Sequence, residues 1–228
     1  MIIDHVGAIF FPELTILRLI GRIAFPLYCF LLVDAYINIK GDKKRVFKYA
    51  ICLLLFAIIS ELPYDLFFHD KMIFLRRQNV LFDLLLGLLF LVAYDHTKEN
   101  KAYKFIVVYL YIMLSFCLFV NYSIYGAVLI FGLYLYRKNS NLNILIITML
   151  SFMTIQFIPE LINYYKEPTV SINNFLIKQS ILVGVLVSIL PIMNFNGLRG
   201  KYNKIIKYFF YIAYPLHIII LLLIKKGI

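Results

Sequence analysis

The chain alternates long apolar runs with short polar breaks, and the runs set its architecture. A helix rising about 1.5 Å per residue needs about twenty apolar residues to cross the hydrocarbon core of a bilayer. Such runs fall at roughly 14–38, 46–62, 78–96, 103–120, 122–136, 141–161, 175–194 and 205–224, behind a shorter apolar stub at 2–11. The pattern predicts an all-α fold. It is a polytopic integral membrane helical bundle of about 8–9 transmembrane helices, forming a single transmembrane domain over 1–228. The stub is too short to span: it is either a partial helix buried in the bundle or the remainder of one whose native start lies upstream of Met1.

Composition sharpens this reading. Apolar residues make up 63% of the 228 and mean hydropathy is +0.86, against about 45–50% apolar residues in a soluble domain. The N-terminus lacks the basic region of a cleavable signal, and its apolar run continues into the fold. Cys29, Cys52 and Cys117 each sit in an apolar segment without paired spacing, and read as buried small hydrophobes rather than disulfides or metal ligands. The net charge of +11 reflects loops facing the cytoplasm, so no nucleic-acid partner is expected. Alternate loops carry fourteen Lys and Arg, among them Lys40, Lys43, Lys44, Arg45, Lys48, Lys98, Arg137, Arg199 and Lys201. The opposite side, with Lys71, Arg76, Arg77, Lys166, Lys178, Lys225 and Lys226, carries seven. The richer side is cytoplasmic, and the chain reads as a multi-pass membrane protein.

Against that background the ionisable groups inside the apolar runs stand out. Asp4, His5, Arg18 and Arg22 crowd into the first segments, although one such group at the centre of a spanning helix costs roughly 2.5–3.5 kcal/mol. Glu61 and Asp65 close the third segment, Gln78 and Asn79 open the fourth, and Asp83 lies one turn further in. On the topology above, all of these lie in the outer half of the bundle. Arg18 and Arg22 are four apart, share a helix face and repel, so each needs a carboxylate or an anionic ligand. Asp4, Glu61, Asp65 and Asp83 are the available partners. Successive helical residues point about 100° apart, so Asp4 is expected to pair with Arg18 or Arg22 and leave His5, as a neutral imidazole, to accept a proton. The blander alternative is that these pairs bolt helices together. Gly21, Gly87 and Gly126 are read as points of close helix contact rather than phosphate loops. His217, beside Pro215, is read as structural.

Ile2–Leu32, ISELPYDLFF (Ile59–Phe68) and QNVLFDLLLG (Gln78–Gly87) resemble, in order and spacing, the TraX family, which includes the F-pilin acetylase of conjugative plasmids. Agreement extends through NYSIYGAVLI (Asn121–Ile130) and KYFFYIAYPLHIIILLL (Lys207–Leu223). The resemblance implies a membrane acetyltransferase that acetylates a peptide N-terminus with acetyl-CoA as co-substrate, distantly similar to membrane acyltransferases that acetylate sugars. Three departures from the family pattern put the substrate in question more than the chemistry. The helix ahead of Asp4-His5 is missing or truncated, Asp34-Ala35 stands where Glu-Gly is common, and Asp83 stands where a small hydroxyl residue is expected.

The expected mechanism brings acetyl-CoA from the cytoplasm, its phosphates on Lys43, Lys44, Arg45 and Lys40. The acceptor, a secreted or membrane-anchored peptide or glycan, enters from the outer side. His5 takes the acceptor's proton, Arg22 or Gln78/Asn79 stabilises the oxyanion, and Glu61 and Asp65 bind a cationic N-terminus. Two alternatives remain open. A proton- or ion-coupled transporter would also bury Asp, Arg and His, though no internal repeat is present. A structural subunit of a secretion apparatus gives no reason for clustered ionisable groups.

Overall fold

The computed structural model describes residues 1–74, 77–97, 100–118, 120–166, 172–198 and 204–227. Arg76, Lys98, Arg199 and Lys201 lie outside the described residues, as do the side chains of Lys178, Lys204 and Lys207. Among the described residues the regular structure is helical: α1 (Ile2–Ile9), α2 (Thr15–Arg22), α3 (Ala24–Ile39), α4 (Lys43–Phe68), α5 (Val80–His96), α6 (Lys101–Cys117), α7 (Ser123–Asn139), α8 (Leu142–Lys166), α9 (Ile172–Val187), α10 (Ile189–Met193) and α11 (Lys204–Lys226). A parallel bridge between Gln78 and Val120 is isolated.

Each apolar run seen in the sequence holds a helix or a closely joined pair. Three described stretches, Thr15–Ile39, Lys43–Phe68 and Leu142–Lys166, are long and apolar enough to cross a membrane. α2 and α3 form the first of these, broken only at Ile23. Pro26 explains the break: it has no N–H to offer the Arg22 carbonyl, and its ring crowds that oxygen. Ile23 accordingly bonds three residues back, to Ile20, at 3.3 Å. α4 runs six residues beyond its expected end at 62, through Pro63, and α8 runs past Pro159 to Lys166. A proline leaves one carbonyl unbonded without ending a helix that its neighbours hold in place. Glu61 and Asp65 therefore lie within α4 rather than at its close.

The chain forms two compact units: Met1–Asp34 with Val128–Asn196, and Ala35–Ala127 with Gly197–Ile228. In the first, α1 packs on α2 and α2 on α9. Both contacts are made by glycines. A Cβ at Gly21 would stand 2.2 Å from Asp4 Cβ, and one at Gly184 would stand 2.1 Å from the Leu19 carbonyl oxygen. Phe25 and Phe152, rings 6.1 Å apart, lie in its core, the exposed Phe195 covers the buried Phe30 at 5.2 Å, and Asp34 pairs with Arg137 Nη2 at 2.8 Å. In the second unit α4 packs on α5 and α11, and α5 on α6, with Phe90 stacked on Tyr111 at 4.1 Å. Large apolar side chains such as Phe105, Ile106, Tyr109 and Leu110 on α6 are exposed, as lipid-facing residues are.

The cysteines need one correction. Cys29 is buried, but Cys52 is only partly so and Cys117, at the end of α6, is exposed. An apolar sequence context marks bilayer-facing positions as readily as core ones.

Candidate functional site

The residues singled out in the sequence fall into two groups, one in each unit. The first is built on the α1–α2 hairpin. Asp4 sits in the first turn of α1, where Gly21 lets α2 approach its backbone. Arg18 Nη1 reaches Asp4 Oδ1 at 3.0 Å and the Asp4 carbonyl at 3.1 Å. Of the two arginines expected as partners for Asp4, the one that makes the contact is Arg18. His5 is buried, 7% exposed, on the same turn of α1. One helical turn below Arg18, Arg22 has its Nε sealed and without an acceptor. α9 passes close to the root of this side chain: a Cβ at Gly184 would stand 3.2 Å from the Arg22 Cβ. A guanidinium left in a low-dielectric interior without a counter-charge favours an anion beside it.

The second group lies where α4 packs on α5, beside the segment that leads into α7. Glu61 Oε2 accepts from the Asn79 backbone N–H at 3.2 Å and from Asn79 Nδ2. Asn79 Nδ2 also donates to the Ala57 carbonyl at 2.8 Å, and Asn79 Oδ1 caps α5 through the Leu81 N–H at 3.0 Å. Asn79, fully buried, thus has its side chain occupied by the fold. Gln78 is half-buried and pairs its backbone with Val120. Asp65 Oδ2 accepts from the Phe74 N–H at 2.7 Å, holding the loop after α4, while its Oδ1 is buried without a partner.

Asp83 differs from expectation. Its Oδ1 accepts from the Tyr122 N–H at 3.1 Å, so it serves the N-terminus of α7, where unpaired amides and the helix dipole favour a carboxylate. Its contact lies 39 residues away in the chain, which no local spacing reveals. His217 Nδ1 lies 2.8 Å from the Ala213 carbonyl of its own helix, in keeping with a structural role.

Lys43, Lys44 and Arg45 form the exposed first turn of α4. Asp42 caps that turn, accepting from the Lys44 and Arg45 amides at 3.0 and 3.2 Å. The three cations point into solvent at a helix end that itself favours anions.

Three further residues belong in the picture. Tyr64 and Tyr214, 5% and 9% exposed, lie within electrostatic reach of Glu61. Each adjoins a proline, in the ELPYD and YPLH segments, but in a chain with 18 tyrosines that signal is faint. His69 follows α4 and lies against Phe74, ring centroids 4.0 Å apart. Burial pushes its imidazole below the ordinary value, against the opposing pull of Asp65.

The sequence pattern of the family described as "TraX protein" matches residues 1–225. The "Probable fimbrial assembly protein FimC, serogroup H1" of Dichelobacter nodosus is 26% identical over 234 aligned positions, covering 97% of this chain and 89% of that protein. "Uncharacterized protein RP591" of Rickettsia prowazekii (strain Madrid E) is 42% identical over 59 residues. That stretch is 26% of this chain and 23% of the relative, so the match spans under a quarter of RP591. No solved structure matches the chain. With the family pattern running across both units and through every site residue described above, the chain belongs to the TraX family.

Proposed function

We propose that this protein is a membrane-embedded acetyltransferase. It moves an acetyl group from cytoplasmic acetyl-CoA to an acceptor on the far side of a bacterial plasma membrane, most simply a peptide N-terminal amine. Membership of the TraX family supports an assignment to pilin-related chemistry, and the printed name of the Dichelobacter relative points toward surface appendages. The observation that carries the reading is the α1–α2 hairpin. It holds Asp4 and Arg18 in a 3.0 Å pair, buries His5 on the same turn and leaves the Arg22 Nε buried without an acceptor among the described residues. A structural bolt needs the Asp4–Arg18 pair. It gives no use for a second arginine one turn deeper.

In this mechanism the acceptor amine attacks the thioester carbonyl as His5 takes its proton. Arg22 faces the carbonyl oxygen as it gains charge, and as the tetrahedral intermediate collapses the C–S bond breaks and His5 returns its proton to the sulfur, so that coenzyme A leaves as the thiol. Lys43, Lys44 and Arg45 hold the phosphates of the donor. Within the second unit Glu61 commits one carboxylate oxygen to Asn79. The Asn79 amide is already engaged within the second unit, so the oxyanion role is not assigned to it.

The test is transfer of labelled acetyl from acetyl-CoA to an acceptor peptide by the purified protein in lipid. Loss of an oxyanion donor costs about 10²–10³ in rate, so Arg22→Gln is expected to fall by that order with little change in KM for acetyl-CoA. His5→Ala is expected to fall about 10²–10⁴-fold. Native-rate transfer by His5→Ala overturns the assignment.

A further inference from the structure

On the second unit a hydrogen-bonded clasp joins α3 to α5 beside the basic turn. Tyr36 lies on α3, and Lys40, the first residue after it, stands one helical turn on, its N–H bonded to the Tyr36 carbonyl at 2.8 Å. The Tyr36 hydroxyl lies 3.1 Å from Asp95 Oδ2 and 3.1 Å from the Leu91 carbonyl, and Lys40 Nζ reaches the same Asp95 oxygen at 3.1 Å. Tyr36 is 3% exposed, so a buried phenol and an exposed ammonium converge on one carboxylate oxygen and fix its direction.

What this clasp holds is short. After Lys40 come only Gly41 and Asp42 before α4 begins. The Lys40 N–H bonds to the Tyr36 carbonyl, and the Asp42 N–H to the Ile39 carbonyl, both at 2.8 Å. Asp42 then caps the amides of Lys44 and Arg45. From Asp95 to the three exposed cations every link is a hydrogen bond or a single turn of chain, with no free loop between them.

We propose that Tyr36 and Asp95 are positioning residues for the basic turn. By clamping Lys40 to the end of α5 they hold Lys43, Lys44 and Arg45 in the arrangement that receives a polyphosphate co-substrate. The proposal rests on the acetyl-CoA reading for the identity of the ligand, and on the clasp alone for the order of the turn.

Charge and geometry make opposite demands here, which gives the test its sign. Asp95 is an acid beside a cluster of cations, so removing its charge strengthens the local attraction for phosphate. If electrostatics alone governed the site, Asp95→Asn would bind coenzyme A more tightly. Positioning demands the reverse. The experiment is calorimetric titration of the full chain in nanodiscs with coenzyme A, beside hydrogen exchange of residues 40–46. Asp95→Asn is expected to weaken binding about tenfold and Tyr36→Phe about threefold, the scale of losing a charged and a neutral hydrogen bond. Both substitutions speed exchange in 40–46. Asp95→Glu, which keeps charge and acceptor, recovers most of the affinity. In turnover the loss falls on KM for acetyl-CoA, with kcat within about twofold.

Asp95→Asn or Tyr36→Phe binding coenzyme A as tightly as the parent overturns the proposal. A parent chain that does not bind coenzyme A defeats the acetyl-CoA reading instead. The clasp is then judged by exchange alone: faster exchange in both variants upholds it, and unchanged exchange sinks it.

Discussion

Gly21 carries more of the proposed site than its lack of a side chain suggests. Its Cα faces Asp4 so closely that an added methyl carbon would stand 2.2 Å from Asp4 Cβ and 2.7 Å from Asp4 Cα. The second of these is backbone, so α1 itself has to move. Gly21→Ala is therefore expected to lower stability by about 1–3 kcal/mol, the usual cost of overpacking, and to open the Asp4–Arg18 pair. Acetyl transfer falls with it. Gly41→Ala is the matched comparison: nothing lies within 4 Å of its added carbon, and stability is expected to stay within about 0.5 kcal/mol of the parent. Thermal unfolding of the two variants in the same detergent decides the matter. Equal midpoints would show that the α1–α2 contact is looser than described. The sequence reading of Gly21 as a close-contact residue was sound because a small residue among large apolar ones has few other uses in a helix pair. That its contact would be Asp4 was not legible.

At the scale of the element, the ends of helices hold the least legible information. Where the apolar runs lie follows from the thickness of a bilayer, and all nine segments hold helix. Where they end depends on contacts. α4 passes through Pro63 and ends only at Phe68, because the loop behind it is tied back by Asp65 to the Phe74 amide. His69 sits in that loop with its Nε2 sealed and without a partner. Burial favours the neutral ring, outweighing Asp65 and Asp70, which favour the charged one; Arg77 and Lys71 oppose charging as well. A histidine whose folded pKa lies below its unfolded value adds stability that is complete above the unfolded value, about 6.5. That contribution is lost as pH falls through the folded value. The loop 69–74 is thus expected to loosen progressively below about pH 6.5 and to be indifferent above it. Trypsin cleavage after Lys71, compared at pH 5.5 and 7.5 with the enzyme's own pH dependence divided out, reads this directly. His69→Phe keeps the ring contact with Phe74 and removes the proton site. It is expected to abolish the difference, and a difference that survived would place the sensor elsewhere.

For the whole molecule the question is which faces look inward, and α4 is the ruler. Its 26 residues span about 39 Å at the α-helical rise, more than the roughly 30 Å hydrocarbon core of a bilayer. Gly41 and Met72 therefore lie on opposite sides if α4 crosses. Ion pairs within the second unit extend the assignment. Lys40 with Asp95 puts the end of α5 on the side of Gly41, and Lys225 with Asp70 at 2.9 Å puts the end of α11 on the side of Met72. These pairings agree with the side to which loop charge assigns each of those residues, so the sign of the topology depends on a single experiment. In a chain stripped of Cys29, Cys52 and Cys117, Gly41→Cys and Met72→Cys are labelled with an impermeant maleimide in intact cells. Both positions are exposed. Met72→Cys is expected to react from outside at once, and Gly41→Cys only after the membrane is opened, which places the Lys43–Arg45 turn where acetyl-CoA is made. The reverse pattern would put the basic turn outside and remove the proposed donor site from its supply. Labelling of both from outside would mean that α4 does not cross, and the proposed bundle of eight to nine spans would fall with it.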